Sequence, residues 1–442
     1  MKLKNLIYAA TLLLAHISSQ AQENTTTLKS CIERGLENNY SIRIVRNNEE
    51  IAENNFSWAN AGMLPTANLS GGYSGTLDNS DATDRQSGAT TKQRNITDHT
   101  LRAGVDMQWM IFDGFKMQTN YNRLRELKLQ SETQTRLAIE DFVAKLTAEY
   151  YNFVQQNARL RNLNYAVQLS RERLRIVHES YIIGDKSRLD LLQARVDFNA
   201  DSAESVKQNE RLATSRIRLH ELMADNNLEE TFNVSDTTVG VVRIMNFEKL
   251  WEQTLQNNAS LLLAAQDKKL AELDLKSIRS RDYPYLSLNA GYGYTHNKYE
   301  VGTTDIRKQW GADFGVTVGF KLFDGKRGQE RRNAKLAIKN AELEQQDLQL
   351  TLYADLSDLW QAYENNKRLL ALERQNVFVA RQNYEIAHER YLLRDLSGIE
   401  MREAQKSLLD AEERILIAEY NTKLCEISLL QLSGNIMEYL KE

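Results

Sequence analysis

The chain has 442 residues, with 56 lysines and arginines against 60 aspartates and glutamates, and a formal net charge of −4 at pH 7. This near balance excludes the strongly basic surface that nucleic-acid-binding proteins present. The length would allow two domains, but an internal duplication indicates one architecture built twice.

The amino terminus is typical of a secretory signal peptide. Lys2 and Lys4 precede an apolar run over residues 6–14, and the small residues Ser19 and Ala21 suit a cleavage site. We therefore expect residues 1–21 to be removed on secretion. No cysteine follows this site, so we expect an unacylated amino terminus.

The first predicted repeat, residues 22–231, opens with a helix from Leu28 to about Ala61, and Pro65 ends the helical pattern. A β-hairpin is predicted over about 65–112, with a polar loop at about 78–98, because the flanking residues alternate between an apolar and a polar face. The apolar face of the second strand carries Leu101, Ala103, Val105, Met107, Trp109 and Ile111.

A long helical hairpin over 115–224 completes the first repeat. Its first helix is predicted from Phe115 to about Tyr181 and its second from Leu189 to Ala224. A helix of about 67 residues spans roughly 100 Å at a rise of 1.5 Å per residue, several times the thickness of a bilayer.

The second predicted repeat, residues 232–442, can be laid over the first along nearly its whole length. Its predicted parts are a helix from Phe247 to about Ser280, a β-hairpin over about 284–323 with its loop at about 297–308, and a long helical hairpin over 326–434. The apolar face of its second strand carries Trp310, Ala312, Phe314, Val316, Val318, Phe320 and Leu322.

The clearest match between the repeats is the strand-to-helix junction, where Phe112-Asp113-Gly114 corresponds to Phe323-Asp324-Gly325. Aspartate favours the start of a helix because its carboxylate accepts free backbone N–H groups. Glycine allows the backbone to bend there. We expect Asp113, Gly114, Asp324 and Gly325 to build the two junctions.

Four strands per chain cannot close a transmembrane barrel, and lipid does not tolerate open sheet edges. The chain is therefore expected to form oligomers. A dimer with eight strands is geometrically possible, but side chains would fill its interior. A trimer would give a twelve-stranded barrel continued by a helical tube, so the predicted fold class is mainly α with a membrane β-barrel.

Taken together, the signal peptide, the duplication, the two hairpins, the junctions and the Tyr-x-x-Gly-x-x-x-x-Leu-Asp-Leu-Leu turn over 181–192 resemble the TolC-like outer-membrane efflux proteins. The resemblance implies a trimeric channel in the outer membrane of a Gram-negative bacterium with a long periplasmic tunnel. It also implies contact with outer-membrane lipid and docking to an inner-membrane RND or ABC-type pump through a periplasmic adaptor.

The resemblance also implies roles for residues at the two turns between long helices. It maps an acidic pair at the tunnel entrance onto Glu400 and Glu403, although a solvated acidic helix face would look the same in sequence. We expect Tyr391 and Arg394 to hold the tips inward through hydrogen bonds to neighbouring helices. The residues expected to dock an adaptor are Tyr181, Gly184, Leu189, Tyr391 and Ile399.

The second turn departs from the family pattern. Arg394 stands where the first turn has Gly184, and Met401-Arg402 replaces Leu191-Leu192. These departures put in doubt a symmetrical grip of an adaptor on both tips.

Other conspicuous residues have ordinary explanations. Cys31 and Cys425 could pair in an oxidising compartment, but apolar neighbours favour packed free thiols. His178 and His388 are related by the repeat, yet histidines beside a helix end are more often capping or packing residues than metal ligands. The leucine and isoleucine stripe of the last helix favours packing within the tube.

Strand aromatics suit the aromatic girdles of a barrel, with Trp310 expected near the outer rim and Trp109 and Phe320 near the inner one. No catalytic, metal or cofactor motif is recognisable, so we expect neither enzymatic activity nor a cofactor. The alternative to a conduit is a periplasmic coiled-coil scaffold or adaptor without a pore. The strands favour the conduit, because a scaffold has no use for long strands with one apolar face.

Overall fold

The computed structural model describes residues 25–228, 233–236, 238–240 and 245–440, so the predicted signal peptide lies outside the described residues. The first repeat contains the helices α1 (Leu28–Asn38), α2 (Tyr40–Asn55), α3 (Lys116–Ile182) and α4 (Arg188–Met223). The second contains α5 (Phe247–Asn257), α6 (Ala259–Ser280), α7 (Arg327–Leu392) and α8 (Gly398–Leu432). A 3₁₀ turn, Ile436–Leu440, follows α8.

The strands of the described residues form two sheets. Two-residue strands, β1 (Thr25–Thr26) and β4 (Asn233–Val234), pair in parallel. The long strands are β2 (Thr66–Thr83), β3 (Thr90–Phe112), β5 (Tyr285–Lys298) and β6 (Ile306–Gly319). They form an antiparallel sheet in the order β2-β3-β5-β6, so the hairpins of the two repeats lie side by side. The described part of the chain is thus mostly helical, with a four-stranded antiparallel sheet.

The described residues divide into two compact units. The helical unit contains the residues up to Asn47, Thr133–Leu262 and those from Asp347 onward. Its main core joins α1, α3, α4 and α8 through Cys31, Ile32, Phe142, Leu146, Tyr150, Leu219, Met223, Ile427 and Leu430. The sheet unit contains Asn48–Glu132 and Leu263–Gln346.

The single first helix predicted for each repeat is wrong, because each is broken at one asparagine. Asn39 separates α1 from α2, and its Oδ1 accepts the backbone N–H of Ser41 at 2.9 Å and that of Ile42 at 3.3 Å. Asn258 separates α5 from α6 and accepts the N–H groups of Ser260 at 3.0 Å and Leu261 at 3.1 Å. Each asparagine ends one helix and caps the next, which a search for apolar periodicity does not detect.

The same two asparagines connect each helix break to the returning helix of its own repeat. Asn39 Nδ2 donates to the Leu222 carbonyl at 3.0 Å, near the end of α4. Asn258 Nδ2 donates to the Leu432 carbonyl at 2.9 Å, at the end of α8. Carbonyls in a last helical turn lack intrahelical donors, so each asparagine satisfies one of them. The duplication therefore preserves a tertiary contact as well as a sequence pattern.

The predicted hairpin loops were too long. The first loop spans only residues 84–89, because the strand ladder continues to the pair Thr83 and Thr90. The second spans 299–305, after the pair Lys298 and Ile306. Backbone hydrogen bonds extend these strands through residues that are polar on both faces, where side-chain alternation carries no signal.

The last long strand ends earlier than the predicted boundary at about 323. Its final pair joins Tyr285 to Gly319, so Phe320 and Leu322 lie outside the sheet. β6 has only β5 as a neighbour, and β5 itself begins at Tyr285. A strand without a partner has no ladder to continue, which explains the earlier end. The placement of Phe320 in a strand is therefore wrong.

The register of the sheet separates the apolar and polar faces. Leu69, Val105, Tyr292 and Ala312 stand side by side across the four strands. The adjacent row, one residue along, contains Asn68, Asp106, Gly291 and Asp313. Since successive side chains point to opposite faces, the first row belongs to an apolar face and the second to a polar face. Apolar side chains such as Leu69, Phe314 and Val318 are exposed.

Within the part of the chain that the structure describes, no helix combines the length and the apolar composition needed to cross a membrane.

Candidate functional site

The first turn between long helices follows α3 and is stabilised by its own backbone. The N–H of Gly184 donates to the Tyr181 carbonyl at 3.0 Å, and the N–H of Asp185 donates to the Ser180 carbonyl at 2.9 Å. These are the two hydrogen bonds of a Schellman motif, which requires a left-handed residue after the helix. Gly184 supplies it with φ +82°.

The second turn, after α7, has the same hydrogen bonds without a glycine. The N–H of Arg394 donates to the Tyr391 carbonyl at 3.0 Å, and the N–H of Asp395 donates to the Arg390 carbonyl at 2.9 Å. Arg394 takes the left-handed conformation with φ +65°. This conformation costs an L-residue about 1 to 2 kcal/mol because its Cβ approaches the following carbonyl.

Both returning helices begin with a capping box. In α4, Ser187 Oγ accepts the Asp190 N–H at 3.2 Å, while Asp190 Oδ2 accepts the Ser187 N–H at 3.0 Å. In α8, Ser397 Oγ accepts the Glu400 N–H at 3.2 Å, and Glu400 Oε2 accepts the Ser397 N–H at 3.0 Å. Glu400 therefore has a capping role that sequence reasoning missed, although the Ser-x-x-Glu spacing was a readable signal.

The acidic pair lies on the exposed side of the start of α8. Hydrogen bonds from the Ser397 side chain and backbone hold the pKa of the exposed Glu400 carboxyl below its ordinary value. Glu403, one turn further along, is also exposed, and no partner for its carboxylate is found among the described residues. The Glu400 carboxyl is therefore ionised at neutral pH.

Tyr391 is a core residue. Its side chain is buried in a cluster with Tyr384, Ala387, Met401, Ala404 and Leu408. This burial raises the pKa of its hydroxyl. Tyr391 was predicted to hold the tip inward through a hydrogen bond to a neighbouring helix. Within the described chain, its hydroxyl makes no such hydrogen bond. Apolar packing positions this residue.

Arg394 contacts the first turn. Its Nη1 lies 3.3 Å from Asp185 Oδ2, and both side chains are exposed. Arg394 was predicted to form hydrogen bonds to a neighbouring helix. Its partner in the structure is instead Asp185, a residue of the first turn of the same chain. An exposed pair of this kind contributes about 0 to 1 kcal/mol.

Two further arginine–aspartate pairs join the helices next to the turns, and sequence reasoning missed both. Arg402 of α8 donates from Nη1 and Nη2 to the two carboxylate oxygens of Asp201 in α4, each at 2.7 Å. Arg173 of α3 pairs with Asp197 of α4. The only indication of the Arg402 pair in the sequence was that Arg402 stands where the first repeat has Leu192.

The residues expected to dock an adaptor form an exposed apolar surface at the turns. Leu189 is 75% exposed and Ile399 is 78% exposed. Tyr181 and Gly184 are exposed as well, whereas Tyr391 is buried. Other large apolar side chains exposed at the two turns are Ile182, Ile183, Leu392 and Leu393.

The two strand-to-helix junctions are less alike than their sequences. Asp113 Oδ1 accepts the Met117 N–H at 3.0 Å, and Gly114 has φ +71°. A Cβ on Gly114 would lie 2.1 Å from the Ser280 carbonyl oxygen. In the second junction Asp324 Oδ1 accepts the Lys326 N–H at 3.2 Å. Gly325 is not in the left-handed region, and a Cβ there would approach no atom closer than 3.7 Å.

The cysteines and histidines take ordinary positions. Cys31 and Cys425 are free thiols, as their apolar neighbours indicated, and burial raises the pKa of Cys31 to about 12. His178 is exposed, and His388 stacks on Tyr384 with ring centroids 5.8 Å apart. Among the described residues, no group of histidine, cysteine, aspartate and glutamate has the arrangement of a metal site.

Comparison with known proteins gives a match to the family model described as outer membrane efflux protein, over residues 31–225 and 250–435. The outer membrane protein TolC of Vibrio cholerae is 22% identical over 441 residues, which covers 96% of this chain and 91% of that protein.

Solved structures with the same fold include a membrane protein from Pseudomonas aeruginosa, with a TM-score of 0.74 and 16% identity over 92% of this chain and 90% of that one. The CmeC outer membrane channel of Campylobacter jejuni has a TM-score of 0.73 and 17% identity over 92% of this chain and 86% of its own.

Proposed function

The chain belongs to the outer membrane efflux protein family, and from that premise we propose that it is the passive trimeric conduit of a tripartite efflux or type I secretion system. Its relatives are outer-membrane proteins, and the chain itself is an outer-membrane protein of a Gram-negative bacterium that extends into the periplasm. In the proposed assembly an inner-membrane RND or ABC-type pump supplies the energy and a periplasmic adaptor connects pump and conduit.

The observation that carries this proposal is the long-stranded sheet, which has two unpaired edges and one exposed apolar face. β2 and β6 each have a single neighbour among the described strands. Unpaired backbone groups are not tolerated in hydrocarbon, so the edges need strands from other copies of the chain. Three copies would supply twelve strands, enough for a barrel with a water-filled interior.

The acidic pair fits the narrow end of such a conduit. A threefold axis would bring three copies of Glu400 and three of Glu403 together, and like charges in a ring attract cations. The Ser397 hydrogen bonds would keep Glu400 ionised at neutral pH. We therefore assign these two residues to the entrance of the tunnel and expect cation selectivity in its closed state.

The exposed apolar residues at the turns suit a protein partner. Side chains such as Leu189 and Ile399 present apolar area to water at a helix start, where solvent would favour polar residues. An adaptor that covers them would gain about 25 cal/mol for each Å² of apolar surface removed from water. An adaptor docked there would also contact the exposed ion pair that Arg394 and Asp185 form between the two turns.

The test is the conductance of the purified protein in planar bilayers. The double variant Glu400→Gln with Glu403→Gln removes both charges, and glutamine still completes the capping box. We expect weaker cation selectivity and weaker block by trivalent cations in this variant. The matched control, Glu344→Gln, neutralises an exposed carboxylate of α7 far from the second turn and should leave both properties unchanged.

Unchanged selectivity and block in the double variant would show that the carboxylates face solvent outside the conduit. The alternative function, a scaffold without a pore, is tested separately by fractionation. Extraction from outer membranes only with detergent supports the conduit, whereas release by osmotic shock would support the scaffold.

A further inference from the structure

Helix α4 carries a row of exposed apolar side chains. The row, which we call the α4 seam, consists of Leu192, Val196, Ala203 and Val206. Their spacing of four, seven and three residues is that of a coiled-coil seam, interrupted by Asn199. Side chains two residues apart on a helix point about 160° away from each other, and Ala194 and Gln208, each two residues from a seam residue, are buried. The α4 seam therefore lies opposite the packed side of its helix.

Helix α7 has a similar row, which we call the α7 seam. It consists of Leu372, Val379 and Ile386, all exposed and seven residues apart. Gln375 and Gln382 stand between them. The opposite side of α7 is buried, since Tyr384, two residues before Ile386, packs in the cluster with Met401 of α8. Among the described residues, each chain thus leaves two apolar helix faces uncovered, one on α4 and one on α7.

The two seams lie at similar distances from the turns and run in opposite directions. The ion pair between the turns places them side by side. Helix α4 leads away from its turn and α7 leads into its own. At a rise of 1.5 Å per residue, Val196 lies about 12 Å from the turn end of α4, and Ile386 about 9 Å from that of α7. Val206 and Leu372 also match, at about 27 Å and about 30 Å.

The charges beside the seams are complementary. Arg195 and Glu385 each directly precede a seam residue, and both are exposed without an ion-pair partner in the part of the chain that the structure describes. Each lies about 10 Å from the turn end of its helix. When two antiparallel helices pack through such seams, the positions that precede a seam residue lie on the same flank of both helices. The arginine and the glutamate would therefore meet.

We propose that the α4 seam of one copy packs antiparallel on the α7 seam of a second copy, with Arg195 paired to Glu385 across the contact. The inference rests on the proposed oligomeric conduit and names the helical surface that joins its copies. Because the contact joins two different surfaces, it closes a ring and uses both seams of every copy. A contact between two α4 seams would stop at two copies and leave both α7 seams exposed.

The test is disulfide crosslinking in intact outer membranes. The double variant Arg195→Cys with Glu385→Cys should give covalent species of two and three chains after oxidation, on a denaturing gel without reductant. Each single variant should give only single chains, which controls for Cys31 and Cys425. The register control combines Arg195→Cys with Asp358→Cys, an exposed position of α7 about 40 Å farther from the turn, and should also give single chains.

Charge reversal tests the same contact without cysteines. Arg195→Glu places two carboxylates across the contact, and Glu385→Arg places two guanidinium groups there. Either change should lower the temperature at which the oligomer dissociates by a few degrees, because like charges held close together repel. The double variant, Arg195→Glu with Glu385→Arg, restores the opposite charges and should recover the original temperature.

The proposal is overturned if the double-cysteine variant gives no species larger than one chain, or none larger than two chains at complete oxidation. It is also overturned if the register control gives the same products, or if the double reversal is no more stable than the single ones. A mass of three chains in detergent without crosslinking would overturn this contact and leave the conduit standing. A mass of one chain would overturn both.

Discussion

At the scale of single residues, Arg394 has the left-handed backbone conformation that a glycine, Gly184, adopts in the first turn. Its φ of +65° matches the φ of +82° at Gly184, and both residues close the same hydrogen-bonded turn. The arginine side chain gains an exposed ion pair with Asp185 in return for the strain. Because an exposed pair contributes about 0 to 1 kcal/mol and the strain about 1 to 2, the strain should dominate.

The first prediction therefore concerns this pair of turns. Arg394→Gly should raise the thermal stability of the purified protein slightly, equivalent to about 0.5 to 1 kcal/mol, because strain is removed and only an exposed ion pair is lost. Gly184→Ala should lower it by about 1 kcal/mol, since a Cβ there meets open space and the effect is purely conformational. Thermal unfolding followed by circular dichroism measures both, and a destabilised Arg394→Gly would mean that the ion pair with Asp185 outweighs the strain.

The two junction glycines give a second prediction from matched positions. Gly114→Ala places a Cβ 2.1 Å from the Ser280 carbonyl oxygen in a left-handed residue, so the backbone must shift. We expect a loss of at least 2 kcal/mol or a failure to accumulate in the outer membrane. Gly325→Ala, whose Cβ meets only ordinary contacts, should cost less than about 1 kcal/mol. Immunoblots of outer-membrane fractions and unfolding midpoints would compare them, and equal losses would contradict the assigned geometry.

At the scale of elements, the asparagine breaks divide what would otherwise be one long helix in each repeat. Asn39 and Asn258 each cap a new helix and donate to the end of the returning helix. A continuous helix would direct the same backbone N–H groups to its own carbonyls and leave the end of the returning helix without this donor. The break therefore fixes where the first helix meets the end of the hairpin, in both repeats.

The exposed apolar face of the sheet leads to the third prediction. Val316 pairs with Leu288 on this face, and Thr317 points to the opposite face. Val316→Arg, and likewise Val105→Arg, should hinder insertion because an arginine near the bilayer midplane costs about 2 to 4 kcal/mol on a barrel exterior. Thr317→Arg should be tolerated in a water-filled interior. The amount of heat-resistant oligomer in outer membranes measures insertion, and equal damage from Val316→Arg and Thr317→Arg would mean that the assigned faces are reversed.

At the scale of the whole molecule, the open sheet edges make the single chain incomplete as a membrane structure. β2 and β6 are each paired on one side only within the described sheet. The fourth prediction is that the protein purified in detergent has the mass of three chains, about 150 kDa from 50.9 kDa each before the predicted signal is removed. Native mass spectrometry or light scattering provides the measurement. A stable monomer or dimer from functional membranes would contradict the proposed conduit.

The sequence by itself determined the duplication, the long helices, the paired hairpins and the family. Each depends on patterns within one repeat: period two for the strands, proline-free helical spacing, and aspartate and glycine at the junctions. The two turns were also located, because the helical spacing is interrupted at corresponding places in the two repeats. The polar ends of the first hairpin were missed, since backbone pairing there leaves no alternation in the side chains.

Only the tertiary structure decided which distant groups meet. Nothing near Arg402 in the sequence points to Asp201, and nothing near Arg173 points to Asp197. The end of β6 at Gly319 likewise depends on where β5 begins. Partners brought together by chain folding follow from the packing of several helices or strands at once, and local periodicity carries no information about that packing.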